Sequence, residues 1–432
     1  MKKLLFAISA GFFALAGRKD TVTETVTYMI NEPVFMSAKD FRNSVKVSTR
    51  AEAISDYGKM CFYEGYIYIA ATGKGIHIID NRNPKSPQNI GFIELLGNAD
   101  LAIRNGKLYA DALMDLVWFN ISAPEKPELE GRLEDVFTTP TLYYNTPLPP
   151  TGNQYGIDYS GIDGSKGIIV GWELKQRTET HTYETGGWPW SSKESEMLAT
   201  DAGPSASNGS SSVGVNGSMS RFTVYKDYLY SVINNYMSII DLSGSKPKKA
   251  VENIPVGNVE TIFSYKDNMF MGTPTGMVIY SVTDPLNPQY MSMITHVFGC
   301  DPVVVENDVA YVTVHSGNFC GQNANELIIM DVSDVKSPKN IVIYPMTNPK
   351  GLGIDNSMLF LCDDGLKIFD ATNPLTMMAK ENTLAHYRGM EGFDVIPFGN
   401  VLMMIAEDGL YQYDYSNPEK ISLLSTLPIV RQ

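Results

Sequence analysis

A short pattern of apolar and polar residues recurs along most of this 432-residue chain. In the copy Gly75–Asp80, a mostly apolar run ends at an aspartate, and a turn that contains Pro84 follows. Such a run, closed by a polar residue and a proline turn, is typical of a β-strand. The copies end at seven polar stops, namely Asp80, Asn120, Asp241, Ser281, Asp331, Asp370 and Asp414. Most of these stops lie about 40 residues apart, which predicts small sheets repeated radially around an axis.

Each repeat holds four predicted strands. The first two, such as Asp100–Arg104 and Lys107–Ala110, flank a tight turn of the Asn-Gly type. The recurring pattern supplies the third strand, and a fourth, such as Gln88–Ile93, follows the proline turn. We therefore predict an all-β fold, a seven-bladed β-propeller of four-stranded blades over residues 56–430.

Two segments lie outside the repeats. Residues 18–55 form a predicted N-terminal arm, in which Ser37 is expected to cap a short helix. Residues 138–217 form one long insertion between blades 2 and 3, and its part from 202 to 217 is rich in Gly, Ser and Asn and is predicted to be flexible. Long insertions emerge from one face of a propeller and often carry its function. A surface flap that covers a blade edge is an equally supported interpretation.

The N-terminus has the pattern of an export signal. Lys2 and Lys3 precede an apolar run, Leu4–Ala16, that is too short to span a bilayer, so residues 1–17 are predicted to be a signal peptide. The end of the run fits an ordinary cleavage site and also the first three positions of a lipobox, but the lipid-accepting fourth position is Arg18. We expect export to the periplasm or cell surface. Attachment to the outer membrane would require a lipid anchor, and hence Cys at position 18.

Composition narrows the possible functions. The net charge of -14 argues against a nucleic-acid partner, which requires clustered Lys and Arg. Cys300 and Cys320 are the only pair considered for a disulfide, whereas Cys61 and Cys362 fit small buried residues in strands. No zinc, phosphate-binding or catalytic motif is present in the sequence, so we predict neither a metal nor a cofactor.

One position of the repeat holds a charged residue in all seven copies. Each second strand has an apolar residue near its start, namely Ile67, Leu108, Leu229, Met269, Ala310, Leu359 and Leu402. The positions eight or nine residues before these hold Lys59, Asp100, Arg221, Glu260, Asp301, Lys350 and Asp394. Because the first strand of a blade is usually innermost, these side chains are predicted to form a ring at one mouth of the central channel. The ring either binds a small charged ligand or cation, or forms salt bridges that fix the order of the blades. Its mixed signs favour the second interpretation.

The repeats resemble the LVIVD repeat of bacterial and archaeal envelope proteins. The resemblance rests on phrases such as Lys74–Asn81, Gly97–Asp100, Gly167–Glu173 and Gly217–Phe222, and it runs from about Pro33 to the C-terminus. It implies a propeller in the cell envelope, commonly as a lipoprotein. It implies no catalytic residue, and Arg18 departs from the lipoprotein pattern.

These observations favour a non-catalytic, monomeric envelope scaffold that binds a protein or glycan through one propeller face and the insertion 138–217. Trp172, Trp188 and Trp190 are the candidate partner-binding aromatics. The alternative is a polysaccharide hydrolase or lyase with its site at the channel mouth. A quinoprotein-like oxidoreductase is less well supported, because the tryptophan repeat of those propellers is missing.

Overall fold

The structure of the protein is a computed structural model that describes residues 21–55, 58–137, 154–184, 213–233, 235–295, 302–315 and 324–430. The chain divides into two compact units. Of the described residues, the larger unit contains 35–137, 164–171 and those from 213 onward. The smaller unit contains 21–34, 154–163 and 172–184.

Among the described residues of the larger unit, seven sheets share one order, in which four consecutive strands pair antiparallel. We number these sheets blades 1 to 7. Blades 1 to 3 are formed by Met60–Tyr63, Tyr66–Ala71, Gly75–Asp80 and Gln88–Glu94; by Leu101–Arg104, Lys107–Ala112, Asp115–Asn120 and Glu128–Leu133; and by Phe222–Tyr225, Tyr228–Ile233, Tyr236–Asp241 and Lys248–Pro255. Blades 4 and 5 are formed by Thr261–Tyr265, Asn268–Thr273, Gly276–Ser281 and Gln289–Thr295; and by Val303–Glu306, Val309–Val314, Glu326–Asp331 and Lys339–Pro345. Blades 6 and 7 are formed by Leu352–Asp355, Met358–Cys362, Leu366–Asp370 and Thr383–Tyr387; and by Gly392–Phe398, Val401–Ala406, Gly409–Asp414 and Ser422–Pro428.

The first strands of the blades form a closed circle. Each contacts the first strand of the next blade, and the first strand of blade 7 contacts that of blade 1. These strands therefore surround a central channel, and the predicted all-β propeller is confirmed. We call the end of the channel where the first strands begin the upper mouth, and the end where they turn into the second strands the lower mouth.

The polar stops have a common structural role. Each is the last residue of a third strand. Its side chain accepts a hydrogen bond from the backbone N–H two residues later, over 2.8 to 3.4 Å. This side-chain turn ends the strand and starts the proline turn. The hydrogen bonds also hold the pKa of stops such as Asp331 and Asp370 below the ordinary value.

Apolar side chains between neighbouring blades form the core. At the closure of the ring, Ile67 and Ile69 of blade 1 pack against Ile405 and Leu410 of blade 7. The buried amides of Asn81 and Gln412 exchange two hydrogen bonds across the same interface, at 2.8 and 2.7 Å. Closure therefore rests on contact between blades 1 and 7, without a strand shared between them.

Ion pairs between neighbouring blades lie along the lower mouth. They join the tight turns of blades 2 to 5 and are Arg104–Asp227, Lys226–Asp267 and Lys266–Asp308. Sequence reasoning identified these turns but not their pairing.

The arm extends blade 1 at its outer edge. Lys46–Ser48 pairs antiparallel with the fourth strand of that blade. The expected short helix spans Ala38–Asn43, and the Ser37 hydroxyl accepts the Asp40 N–H at 3.1 Å. Phe41 is buried on the side that packs against blades 1 and 2.

A three-stranded sheet, most of whose residues belong to the smaller unit, has the order Gly156–Ile157, Thr21–Met36 and Ile168–Glu184. The side chains of Thr25 and Thr180 meet at 3.3 Å, and those of Thr27 and Thr178 meet at 3.0 Å. The sequence of the arm predicts only a short helix there, not a strand. The arm residues form one because threonine alternates with other residues there, which suits a strand with two different faces.

Candidate functional site at the channel mouth

Residues 213–220, which we call the axial segment, lie inside the channel. Val215 and Asn216 pair antiparallel with the first strand of blade 1, and the Gly214 N–H donates to Ile103 O of blade 2 at 2.8 Å. Next to Gly214, Val213 forms a bridge with Arg104, the last residue of the first strand of blade 2. The chain therefore runs from the lower mouth to the upper mouth and continues into blade 3. The expectation that the insertion only emerges from a face is wrong at this end.

Two glycines permit this close approach. A Cβ atom on Gly214 would lie 2.5 Å from the Cys61 Sγ, and one on Gly217 would lie 2.0 Å from an oxygen of Asp394. No larger residue fits without displacing its neighbours. Residues 213–217, the described end of the stretch predicted to be flexible, instead form the narrow backbone that fits between two first strands.

Asp394, a member of the predicted ring, holds the upper end of the axial segment. Its fully buried carboxylate accepts hydrogen bonds from the N–H groups of Ser218, Met219 and Val395 at 3.0 to 3.2 Å. It also accepts the Ser218 hydroxyl at 2.8 Å, and that hydroxyl accepts the Leu352 N–H at 2.9 Å. Burial raises the pKa of Asp394 to about 6, against the lowering effect of the hydrogen bonds.

Asp100 and Lys59, which precede the first strands of blades 2 and 1, hold the same segment. Asp100 is buried and accepts the Ser220 hydroxyl at 2.8 Å and the Arg221 N–H. The Lys59 ammonium lies 3.7 Å from Asp100 and donates to Met219 O, and burial lowers its pKa.

A further acidic residue, Asp111, lies outside the predicted register. It accepts the N–H groups of Ala99 and Asp100 at 2.8 and 2.9 Å. Burial raises its pKa to about 6.

The other predicted ring members make separate contacts, except that the Arg221 N–H donates to Asp100. Lys350 pairs with Glu391 at 2.5 Å. Glu260 donates its backbone N–H to Gly272 O, and Arg221 follows the axial segment directly. Asp301 lies outside the described residues. The structure thus brings Lys59, Asp100 and Asp394 together around the axial segment.

Sequence reasoning missed Ser218 and Ser220. Both occur in the stretch Gly217–Phe222, which already resembled the repeat family, but no local pattern shows that their hydroxyls meet carboxylates.

The chemistry of the upper mouth follows from these contacts. The two central carboxylates accept hydrogen bonds from fixed protein N–H and hydroxyl groups, and Lys59 donates to a protein carbonyl. Such an arrangement fixes backbone position. In the ranges that the structure describes, no group of three His, Cys, Asp or Glu side chains could hold a metal ion.

The remaining candidate residues lie elsewhere. Trp172 is partly exposed in the strand Ile168–Glu184, whereas Trp188, Trp190, Cys300, Cys320 and Arg18 lie outside the described residues. Cys61 and Cys362 are free and buried, and burial raises the pKa of both thiols. Within the described part of the chain, no helix has the length and apolar character needed to cross a membrane.

Three solved structures illustrate what this chain is similar to. The designed protein Ika8 is 9% identical, with 88% of this chain and 89% of that chain covered and a TM-score of 0.47. Hsv2 of Kluyveromyces lactis is 10% identical, with 88% and 99% covered and a TM-score of 0.46. BamB of Moraxella catarrhalis is 8% identical, with 83% and 82% covered and a TM-score of 0.41. At such identities and TM-scores, the fold rests on the strand pairing described above.

The sequence of the repeats matches a known repeat model. No curated protein matches the chain. The model of the LVIVD repeat matches residues 59–93, 216–248 and 303–345. These ranges contain the first three strands of blades 1, 3 and 5, including the third-strand pattern that ends at a polar stop. The chain therefore carries LVIVD repeats within a β-propeller.

Proposed function

We propose that the protein is a non-catalytic, exported scaffold that binds a partner at the upper mouth of its propeller and through the insertion 138–217. The observation that supports this most is the use of the mouth carboxylates as anchors for the axial segment. Asp394 accepts four hydrogen bonds from the protein, and Asp100 is bound to Ser220, Arg221 and its own neighbour Leu101. A general acid or base has to exchange a proton with a substrate. These groups instead hold a fixed surface.

The partner is an envelope protein or a glycan. Trp172, Trp188 and Trp190 are the proposed aromatic contacts, because aromatic side chains contribute large contact areas at interfaces. The proposed location is the periplasm or cell surface, since the first 17 residues have the pattern of a signal peptide. The proposed scaffold acts as a monomer.

Affinity capture from an envelope extract tests the proposal. The mature protein is compared with two variants: one carries Arg221→Ser and Glu260→Lys at the upper mouth, and the other replaces 185–212 by a Gly-Ser segment of equal length. Equal length keeps the axial segment in the channel. We expect each change to remove the captured partner.

A matched control carries Lys266→Glu and Asp308→Lys, which reverse an ion pair at the lower mouth. This variant should capture the partner as the unaltered protein does. Equal capture by all four proteins, or no saturable capture by any, would contradict the proposal.

A further inference from the structure

A cavity of about 330 Å³ opens at the upper mouth between blades 6 and 7. Its walls are three short backbone segments, namely 347–350, 362–365 and 389–392. The volume is that of a site for a small molecule. Three glycines, Gly365, Gly389 and Gly392, line it, so the backbone itself forms much of the wall.

A buried carboxylate fixes the shape of the cavity. Asp363 accepts the backbone N–H groups of Thr347 and Asn348 at 3.0 and 2.6 Å, and its other oxygen accepts Lys367 Nζ at 2.5 Å. These bonds connect the turn between the second and third strands of blade 6 to the segment that enters that blade. The cavity is thus held open by the protein, which lowers the entropy cost of binding.

Two ion pairs lie at the rim. Lys350 Nζ is 2.5 Å from Glu391 Oε1, and Arg388 Nη1 is 2.6 Å from Asp364 Oδ2. The side chains of Glu391 and Arg388 are 53% and 68% exposed. The side chains of Lys350 and Asp364 are 19% and 37% exposed. Because one partner of each pair is well exposed, water screens both pairs, so the charged groups of a ligand can replace them at modest cost.

Each pair is neutral, so the rim presents two cations and two anions. A lone anion would meet the carboxylates of Glu391 and Asp364, and a lone cation would meet Lys350 and Arg388. A molecule that carries both charges can satisfy both signs at once. We propose that this cavity binds a small zwitterion, an amino acid or short peptide, whose carboxylate contacts Lys350 and whose ammonium group contacts Glu391 and Asp364. This inference goes beyond the scaffold function, because it adds a small-molecule site on a different part of the mouth.

Calorimetric titration of the full chain tests the proposal. The probes are L-alanine, its dipeptide and its tripeptide, with N-acetyl-L-alanine lacking the ammonium group and L-alaninamide lacking the carboxylate. We expect saturable binding of at least one zwitterion and binding at least tenfold weaker for both blocked forms.

Variants assign the contacts. Lys350→Gln and Glu391→Gln should each weaken the zwitterion at least tenfold, whereas Lys350→Arg should retain binding within a few-fold. Lys266→Gln removes a comparable exposed ion pair at the lower mouth and should leave binding unchanged. Circular dichroism confirms that each variant is folded.

Three outcomes overturn the proposal. One is no saturable binding of any zwitterion, and a second is equal binding of L-alaninamide, which would indicate a site for a cation alone. The third is an equal loss in the Lys266→Gln protein, which would indicate a non-specific ionic effect. Partner capture from an envelope extract is a separate measurement, so failure here leaves the scaffold function to its own test.

Discussion

Substitution of Asp394 by alanine is expected to destabilise the propeller more than the loss of any polar stop. The change leaves three backbone N–H groups and the Ser218 hydroxyl without their acceptor at a fully buried position. Each unsatisfied buried donor costs about 1–3 kcal/mol. Removal of a carboxylate that burial already disfavours offsets part of this loss, so we expect a net decrease of about 2–4 kcal/mol in the free energy of unfolding.

The decrease in the free energy of unfolding caused by Asp394→Ala should also depend on pH. The folded pKa of Asp394 is about 6 and its ordinary value is 3.8, so the folded protein binds a proton more tightly than the unfolded chain. Its contribution to stability is therefore largest in acid and decreases as the pH rises from 4 through 6. Between pH 5 and pH 8 the decrease is about 1–2 kcal/mol. The alanine variant lacks this term, so the difference between the two proteins should shrink by that amount at pH 8.

Urea unfolding followed by tryptophan fluorescence measures both effects. Asp331→Ala is the matched control, because that stop loses the bond from Ser333 N–H at the surface and should cost under about 1 kcal/mol. A double-mutant cycle with Ser218→Ala should give a coupling of about 1 kcal/mol. Additive effects in the cycle, or equal losses in the Asp394→Ala and Asp331→Ala proteins, would refute the role assigned to this carboxylate.

Three further predictions follow from the same structure. Gln412→Leu should lower the free energy of unfolding by about 1–3 kcal/mol, because Asn81 is left buried without its partner; urea unfolding should show a smaller loss when both residues become leucine. Gly217→Ala should cost about 1–3 kcal/mol through the clash with the buried carboxylate, whereas Gly244→Ala, with 3.5 Å of clearance, should leave the melting temperature nearly unchanged. Arg18→Cys should move the exported protein into the membrane fraction; equal membrane association of the unaltered protein would contradict the lipobox interpretation.

The blades could be predicted because their signals are local. A polar stop such as Asp80 accepts a hydrogen bond from the residue two positions later, so the turn is encoded within a few residues. The apolar run before the polar stop predicts the strand, and this signal also lies within a few neighbouring residues. Repetition of that pattern then predicted the propeller, which the closed circle of first strands confirms.

The axial segment and the arm strand could not be predicted in this way. Ser218 and its partner Asp394 are 176 positions apart, and Thr25 and Thr180 are 155 positions apart. A small-residue stretch carries no information about which distant carboxylate it meets. The charged register did mark Asp394 and Asp100, but it suggested that charges would pair with charges, whereas both carboxylates mainly accept backbone and hydroxyl hydrogen bonds.

The position of the axial segment constrains how the chain can fold. Residues 213–220 follow blade 2 in sequence and precede blade 3, yet they lie inside the circle that all seven blades complete. Blades 3 to 7 are therefore assembled around a piece of their own chain, and the last contact, between blades 7 and 1, encloses it. A ring that had closed without this segment would have to reopen between two blades, or pass a chain end through the channel, to admit it. Synthesis from the N-terminus provides the favourable order, because the segment leaves the ribosome before the blades that surround it.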